Sequence, residues 1–168
     1  MSVFLAIVLL AAPGDELPEM IPLADLPTTG KKAADFELPL FGGGTFKLSE
    51  ARGKPVILSF WASWCGPCRE ELPELNRFAD SRKDVVVVAV NTDRNRSAGE
   101  RFYKQLKLTL PAVYDQGSVA LSQFDVETFP TTYVIDQKGT VVLRSAGYNK
   151  RYKLKPLVDF VNRLVRRR

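Results

Sequence analysis

Residues 56–61 read Val-Ile-Leu-Ser-Phe-Trp, an uncharged and nearly continuous apolar run, with three residues between it and Cys65-Gly66-Pro67-Cys68. A run of that length fits a strand buried on both faces, as in a central parallel position. From Pro67 onward Leu72, Leu75, Asn76 and Ala79 fall along one side of a helical period, with charges opposite. Pro73 lies inside that helix and is expected to kink it. A buried strand, a tight turn and a helix therefore bracket the only two cysteines of the chain.

The remaining elements follow from pattern. Asp35-Phe36-Glu37-Leu38 and Thr45-Phe46-Lys47-Leu48 alternate polar with apolar around Gly42-Gly43-Gly44, which predicts a β-hairpin. A second buried run, Val85 to Val90, precedes a helix over 97–106. A short strand near Ala112-Val113-Tyr114 and a short helix at 119–124 come next. Thr131 to Asp136 and Thr140 to Arg144 flank Gln137-Lys138-Gly139, a hairpin with glycine where a positive φ is needed. Residues 153–165 carry Leu157, Val158, Val161, Leu164 and Val165 on one stripe. The order is a β-hairpin, βαβα, a short strand and helix, ββ, and α. At 168 residues, with 45% hydrophobic and 26% charged residues, the chain suits one soluble domain.

Two absences narrow the chemistry. Without histidine, a His-based metal site, a Ser-His-Asp triad and a Cys-His dyad are all excluded. A structural zinc site needs about four Cys or His ligands, and one chain here supplies two thiolates. A bridge across so short a loop constrains the unfolded chain little, so it is a poor staple. Redox chemistry is what remains for Cys65 and Cys68, with neither cofactor nor metal called for. Thiol–disulfide exchange needs a thiolate, and an ordinary cysteine has a pKa of about 8.5. A helix N-terminus favours the negative charge and lowers that value. Cys65 stands at that place and is expected to be the exposed nucleophile. Cys68, nearly one turn further along the same face, is expected to resolve the mixed disulfide. Trp64 and Trp61 are expected to flank the pair, Trp61 chiefly as core.

The ends carry separate signals. Ser2 to Ala12 is apolar, and eleven residues at 1.5 Å each cannot cross a hydrocarbon layer about 30 Å thick. The length suits the hydrophobic region of a signal peptide, although no Lys or Arg precedes it. A buried first helix or strand is the other reading. Residues 13–32, with Pro13, Pro18, Pro22 and Pro27, read as a linker, or as an ordered extension wrapped on the domain. The domain is then 33–168. The formal charge of +5 is partly the terminal Arg166-Arg167-Arg168, read as a solvated helix end rather than a nucleic-acid or lipid site.

Gly53-Lys54-Pro55, Phe60-Trp61-Ala62-Ser63-Trp64-Cys65-Gly66-Pro67-Cys68, Val88-Ala89-Val90-Asn91 and Phe129-Pro130-Thr131-Thr132-Tyr133-Val134-Ile135-Asp136 resemble the thioredoxin superfamily, and within it the exported branch related to TlpA and ResA. The likeness spans roughly 33–165. It implies an α/β thioredoxin fold, a central mixed sheet flanked by helices, here with the N-terminal β-hairpin as an extension. It also implies a cis bond before Pro130, which would pack beside the Cys65 sulfur, and a substrate surface formed by Trp64, Gly66, Pro67, Phe129 and Pro130. The implied activity is protein thiol–disulfide exchange, as a reductant outside the cytoplasm, in the manner of cytochrome c maturation. The implied partners are protein thiols or disulfides and an upstream electron donor, with no nucleic acid, no membrane span and a monomeric state.

The chain also departs from the family. Thioredoxin proper has a buried aspartate six positions before its first active cysteine, and Ser59 stands there. The ResA-like branch often places a glutamate after the second central strand, where this chain has Arg94; the neighbouring Asp93 reads as an exposed turn acid, with reach to the site as the other reading. The proton acceptor for Cys68 is left unassigned, with water held by Ser59 as one option. Two other functions compete. A peroxiredoxin-like peroxidase needs Pro-x-x-x-Thr-x-x-Cys, and the corresponding places hold Leu58 and Ala62 before Cys65, and Trp61 and Cys65 before Cys68. A non-catalytic binding module would not need both thiols.

Overall fold

The strands alternate their side chains between two apolar layers, which fixes how the sheet is covered. The computed structural model describes residues 30–166; the expected signal peptide, most of the expected linker and the last two arginines lie outside the described residues. Five strands form one mixed sheet: β3 (Val56–Trp61), β4 (Val86–Asn91), β5 (Ala112–Tyr114), β6 (Thr131–Ile135) and β7 (Val141–Ala146), in the order β5-β4-β3-β6-β7. β3 pairs parallel with β4 and antiparallel with β6, so Ser59 sits opposite both Ala89 and Thr132.

Ile57 and Trp61 of β3 point to the layer that holds Val87, Ala89 and Val134. On it pack α1 (Cys68–Ser81), α2 (Arg96–Gln105) and α4 (Lys155–Arg166), through Leu72, Leu75, Phe102, Leu157 and Val161. Val56, Leu58 and Phe60 point to the other layer, with Val88, Val90, Tyr133 and Ile135. That side is closed by Ala120 of α3 (Val119–Gln123), by Phe124, by Phe36 and by Leu38 of the N-terminal hairpin. Burial on both faces is why the two long runs lack a polar–apolar alternation. The Tyr133 hydroxyl donates to the carbonyl of Phe124 within that second layer.

The hairpin, β1 (Glu37–Pro39) and β2 (Thr45–Lys47), forms its own small antiparallel sheet. Leu40 bridges Val113, and Phe41 N–H donates to Ala112 O at 2.9 Å. The extension thereby covers the open edge at β5, where an unpaired strand would otherwise invite aggregation. At the opposite edge Gly30 N–H donates to Val141 O at 2.7 Å and Lys32 bridges Thr140. Gly139 turns β6 into β7 with φ +80°, as the hairpin requires. The sheet, its helices and the hairpin extension match the architecture read from sequence. α1 continues through Pro73 as a single element. Among the described residues no helix is long and apolar enough to cross a membrane.

Candidate active site

Cys65 follows the end of β3 after a tight turn closed by Cys65 N–H to Ala62 O at 3.1 Å. The turn continues into the helix, with Arg69 N–H on Gly66 O and Glu70 N–H on Pro67 O, each at 3.1 Å. α1 begins at Cys68 with Pro67 at its cap, a place where the N–H proline lacks would have no partner. The two cysteines form a disulfide, with Cα atoms 5.4 Å apart. Cys68 N–H, the first of the helix, points at the Cys65 sulfur at 3.2 Å. The expected setting of Cys65 at a helix N-terminus is therefore present.

Its accessibility differs from expectation. Cys65 is only 4% exposed in this oxidised form, and Cys68 is fully buried. The order of access, first cysteine before second, is kept, but neither sulfur stands out in solvent. Trp64 projects outward at 72% exposed, while Trp61 is wholly inside, stacked on Phe102 with centroids 5.5 Å apart. The Trp64 ring meets Phe129 edge to face at 5.5 Å, which joins the dithiol turn to the loop before β6. The Phe129–Pro130 bond is cis. Pro130 is buried and its carbonyl accepts Gly147 N–H at 2.7 Å. Gly66 and Pro67 are exposed beside the pair. Trp64, Gly66, Pro67 and Phe129 thus lie on one rim.

Beneath the dithiol is a group that sequence reasoning missed. Glu71 is 3% exposed. Its carboxyl accepts from Ser59 Oγ at 2.9 Å and from Thr132 Oγ1 at 3.0 Å. No described cation pairs with it. Burial pushes its pKa from 4.5 up to about 7, the two hydroxyls opposing the shift and the Glu74 charge adding to it. Residues three apart on a helix share a face, with Cβ atoms about 5–6 Å apart, so Glu71 lies one turn below Cys68. The signal was present in spacing. Cys68, Glu71, Leu72 and Leu75 are the buried positions of α1, an i, i+3, i+4, i+7 stripe, and Glu71 is its one charged member.

Asp93 corrects a second expectation. It is not an exposed turn acid but 6% exposed. One carboxyl oxygen accepts Ser63 N–H at 2.9 Å and Asn91 Nδ2 at 2.8 Å, and the other accepts Ser63 Oγ at 2.9 Å. The end of β4 thereby holds the turn two residues before Cys65. Gly99 of α2 lets the helix backbone pass directly over Asn91, since a Cβ there would fall 2.5 Å from Asn91 Oδ1. Arg94, where the resemblance led us to expect a glutamate, is exposed. Next to Glu71 on α1, Lys150 pairs with Glu70 at 2.6 Å and Lys153 with Glu74 at 3.3 Å. Burial and the Glu74 charge push the Tyr148 hydroxyl up to about 12. No group of three or more His, Cys, Asp or Glu among the described residues could hold a metal ion.

Comparison with known proteins agrees with this geometry. Residues 29–144 match the model of the AhpC/TSA family. The chain belongs to this thioredoxin-like family. The thiol-disulfide oxidoreductase ResA of Bacillus cereus is 32% identical over 127 residues, covering 74% of this chain and 73% of the relative. The thioredoxin-like protein YneN of Bacillus subtilis is 35% identical over 116 residues, covering 67% and 68%. Among solved structures, a candidate thiol:disulfide interchange protein DsbE of Chlorobium tepidum superposes with a TM-score of 0.74 at 34% identity, covering 79% of this chain and 96% of that one. With Cys65 and Cys68 at bonding distance on this frame, the AhpC/TSA member described here is a thiol–disulfide oxidoreductase.

Proposed function

We propose that the protein works outside the cytoplasm as a reductant of protein disulfides, of the kind cytochrome c maturation requires. The observation that carries the exchange step is Glu71, a buried acid with a pKa near neutrality one turn below the resolving cysteine; the reducing direction is supported by the Gly66-Pro67 dipeptide and the likeness to ResA. In the reductive half-reaction the Cys65 thiolate attacks one sulfur of a substrate disulfide, and the other sulfur leaves as a thiolate and takes a proton from solvent. Cys68 then gives its proton to the Glu71 carboxylate and attacks the Cys65 sulfur, expelling the second substrate thiolate. The internal disulfide forms, and the substrate has gained two electrons. An electron donor restores the dithiol by the reverse sequence, with Glu71 returning the proton.

A base with a pKa close to the working pH is the most effective at such a transfer. Trp64, Gly66, Pro67 and Phe129 are the groups a substrate chain would touch, and the backbone of Phe129, ahead of a proline without an N–H, would pair with it as an added strand. Export is supported by the apolar length of 2–12 and by the likeness to an exposed lipoprotein thioredoxin of Streptococcus pneumoniae, 31% identical with a TM-score of 0.69.

The test is the equilibrium potential of the Cys65–Cys68 pair, measured in defined thiol buffers. A value toward that of thioredoxin, about −270 mV, supports the reductant; a value near that of DsbA, about −120 mV, contradicts it.

A further inference from the structure

The dithiol lies at one pole of the fold, and the opposite pole is positive. β3 and β4 enter the sheet there and α1 ends there. The distance from the dithiol is about 20 Å, because α1 has 14 residues at 1.5 Å each. Contacts fix which side chains share that pole. Lys54 Nζ donates to Lys83 O at 2.9 Å, joining the turns before β3 and β4. Gly53 N–H donates to Gln137 O at 3.0 Å. The Arg52 guanidinium lies against Gly139, its Nε 3.4 Å from the site of a Cβ, so the β6–β7 turn belongs to the same surface. Lys32 Nζ reaches Lys138 O at 2.9 Å. Arg82 donates to Asn162 of α4 at 2.7 Å, next to Arg163.

Lys32, Arg52, Lys54, Lys83, Lys138 and Arg163 are all exposed, and none forms an ion pair with a described residue. The neighbouring acids offset only part of this charge, six cations standing against Asp35, Asp136 and Glu50 while Asp84 is taken up by Arg82. Asp84 binds Arg82 at 2.7 Å, Asp136 accepts the N–H groups of Lys138 and Thr140, and Asp35 accepts that of Ser49. Glu50 alone among the acids flanking these turns has no such partner. Arg163 lies in the last turn of α4 and complements its carbonyl end. Lys32, Lys54 and Lys138 sit on strand ends and turns, and Arg52 follows a single 3-10 turn, Leu48–Ala51. Lys32 and Lys54 each donate to a carbonyl and still leave their charge without a described counter-ion.

We propose that this pole docks the protein on an anionic lipid surface, with the dithiol facing away from it. The surface is assembled from five separate segments at one end of the sheet, so its cations can approach a charged leaflet together, within the Debye length of about 8 Å at physiological salt. No aromatic side chain is exposed among them, since Trp64 and Val119 are the exposed large apolar residues of the described chain. A single-stranded nucleic-acid site would use aromatic platforms for stacking. Gly30, the first described residue, is fixed to Val141 at this pole, so the chain bearing the apolar residues 2–12 joins the domain on the docking face. The interaction is independent of the redox reading, because none of its residues lies near the dithiol.

The test is flotation of the full chain with vesicles of phosphatidylcholine, alone or with phosphatidylglycerol, at low and high salt. The parent should partition more strongly onto the anionic vesicles. The excess should fall at least roughly tenfold in Lys54→Gln/Lys83→Gln/Lys138→Gln and at high salt, with binding to neutral vesicles and insulin reduction unchanged. Equal partitioning of parent and variant, or onto both vesicle types, would overturn the proposal, as would tighter binding of duplex DNA than of anionic vesicles. Orientation is read separately. Both tryptophans, Trp61 and Trp64, lie at the redox pole, so brominated phosphatidylglycerol should leave their fluorescence unchanged, and quenching would refute the outward-facing dithiol.

Discussion

Ser59 Oγ and Glu71 Oε2 meet at 2.9 Å between the central strand and the first helix, with Thr132 Oγ1 closing the same carboxyl from β6. Three polar residues thus occupy positions that the core pattern reserves for apolar ones. Each is satisfied by the others, which is the condition for tolerating polar groups there. The acid comes from the helix, and the strand supplies only a hydroxyl.

Stability should carry the signature of that acid. The folded-state pKa of about 7 lies above the ordinary 4.5, so between these values the fold retains a proton that the unfolded chain has released. Stability of the oxidised protein therefore falls as pH rises from about 4.5 to 7 and levels off above, by roughly 3 kcal/mol at most. Glu71→Gln keeps a side-chain acceptor and removes the titration. Thermal melts from pH 4.5 to 8.5 should show the variant gaining several degrees on the parent with rising pH. A constant offset would count against a raised pKa.

Glu71→Gln should also slow the chemistry at its second half. Formation of the mixed disulfide at Cys65 should be little changed, whereas its resolution by Cys68 should slow by roughly a hundredfold, the lower end for loss of general base catalysis. Quenched-flow sampling of insulin reduction distinguishes the two phases. Equal slowing of both would assign Glu71 to the turn's structure instead.

Asp93 and Gly99 act through the turn. Asp93→Ala leaves Ser63 N–H and the Asn91 amide without their acceptor, at a cost of about 1–3 kcal/mol. Gly99→Ala drives a methyl into Asn91 and should cost about 1–3 kcal/mol by overpacking. Urea unfolding of both variants gives these values. Because Asn91 and Asp93 share a hydrogen bond, the double variant should be less destabilised than the sum of the singles; simple additivity would separate the two sites.

Trp64→Ala should leave stability within about 0.5 kcal/mol, since the side chain is largely in solvent. The same change should raise KM for a protein disulfide by roughly tenfold with kcat less affected, as expected of an exposed aromatic anchor. An unchanged KM would remove Trp64 from the substrate surface.

Much of this was legible in the chain. The strands at 56–61 and 86–91 announced themselves by runs too apolar for a half-exposed sheet, and the glycine at 139 marked a turn that needs a positive φ. The dithiol was placed by the strand before it and by Pro67 between its two cysteines. What pattern reading lost was polar residues inside apolar frames. Glu71 was passed over because the stripe was drawn from the leucines, although Cys68 itself sets its phase. Asp93 was read as a turn acid because its donors are Asn91 and, 30 positions earlier, Ser63; the distant one is set by the parallel pairing of β3 with β4. The burial of Cys65 depends on how the turn seats its disulfide on the core, which spacing alone does not report.

The account rests on unequal roles for two sulfurs, and trapping with single-cysteine variants tests it most directly. Cys68→Ser, incubated with a protein disulfide, should accumulate a substrate-linked species joined through Cys65, and Cys65→Ser should accumulate none and turn over no substrate. Equal trapping by both variants, or equal silence, would contradict a nucleophile at 65 and a resolving thiol at 68.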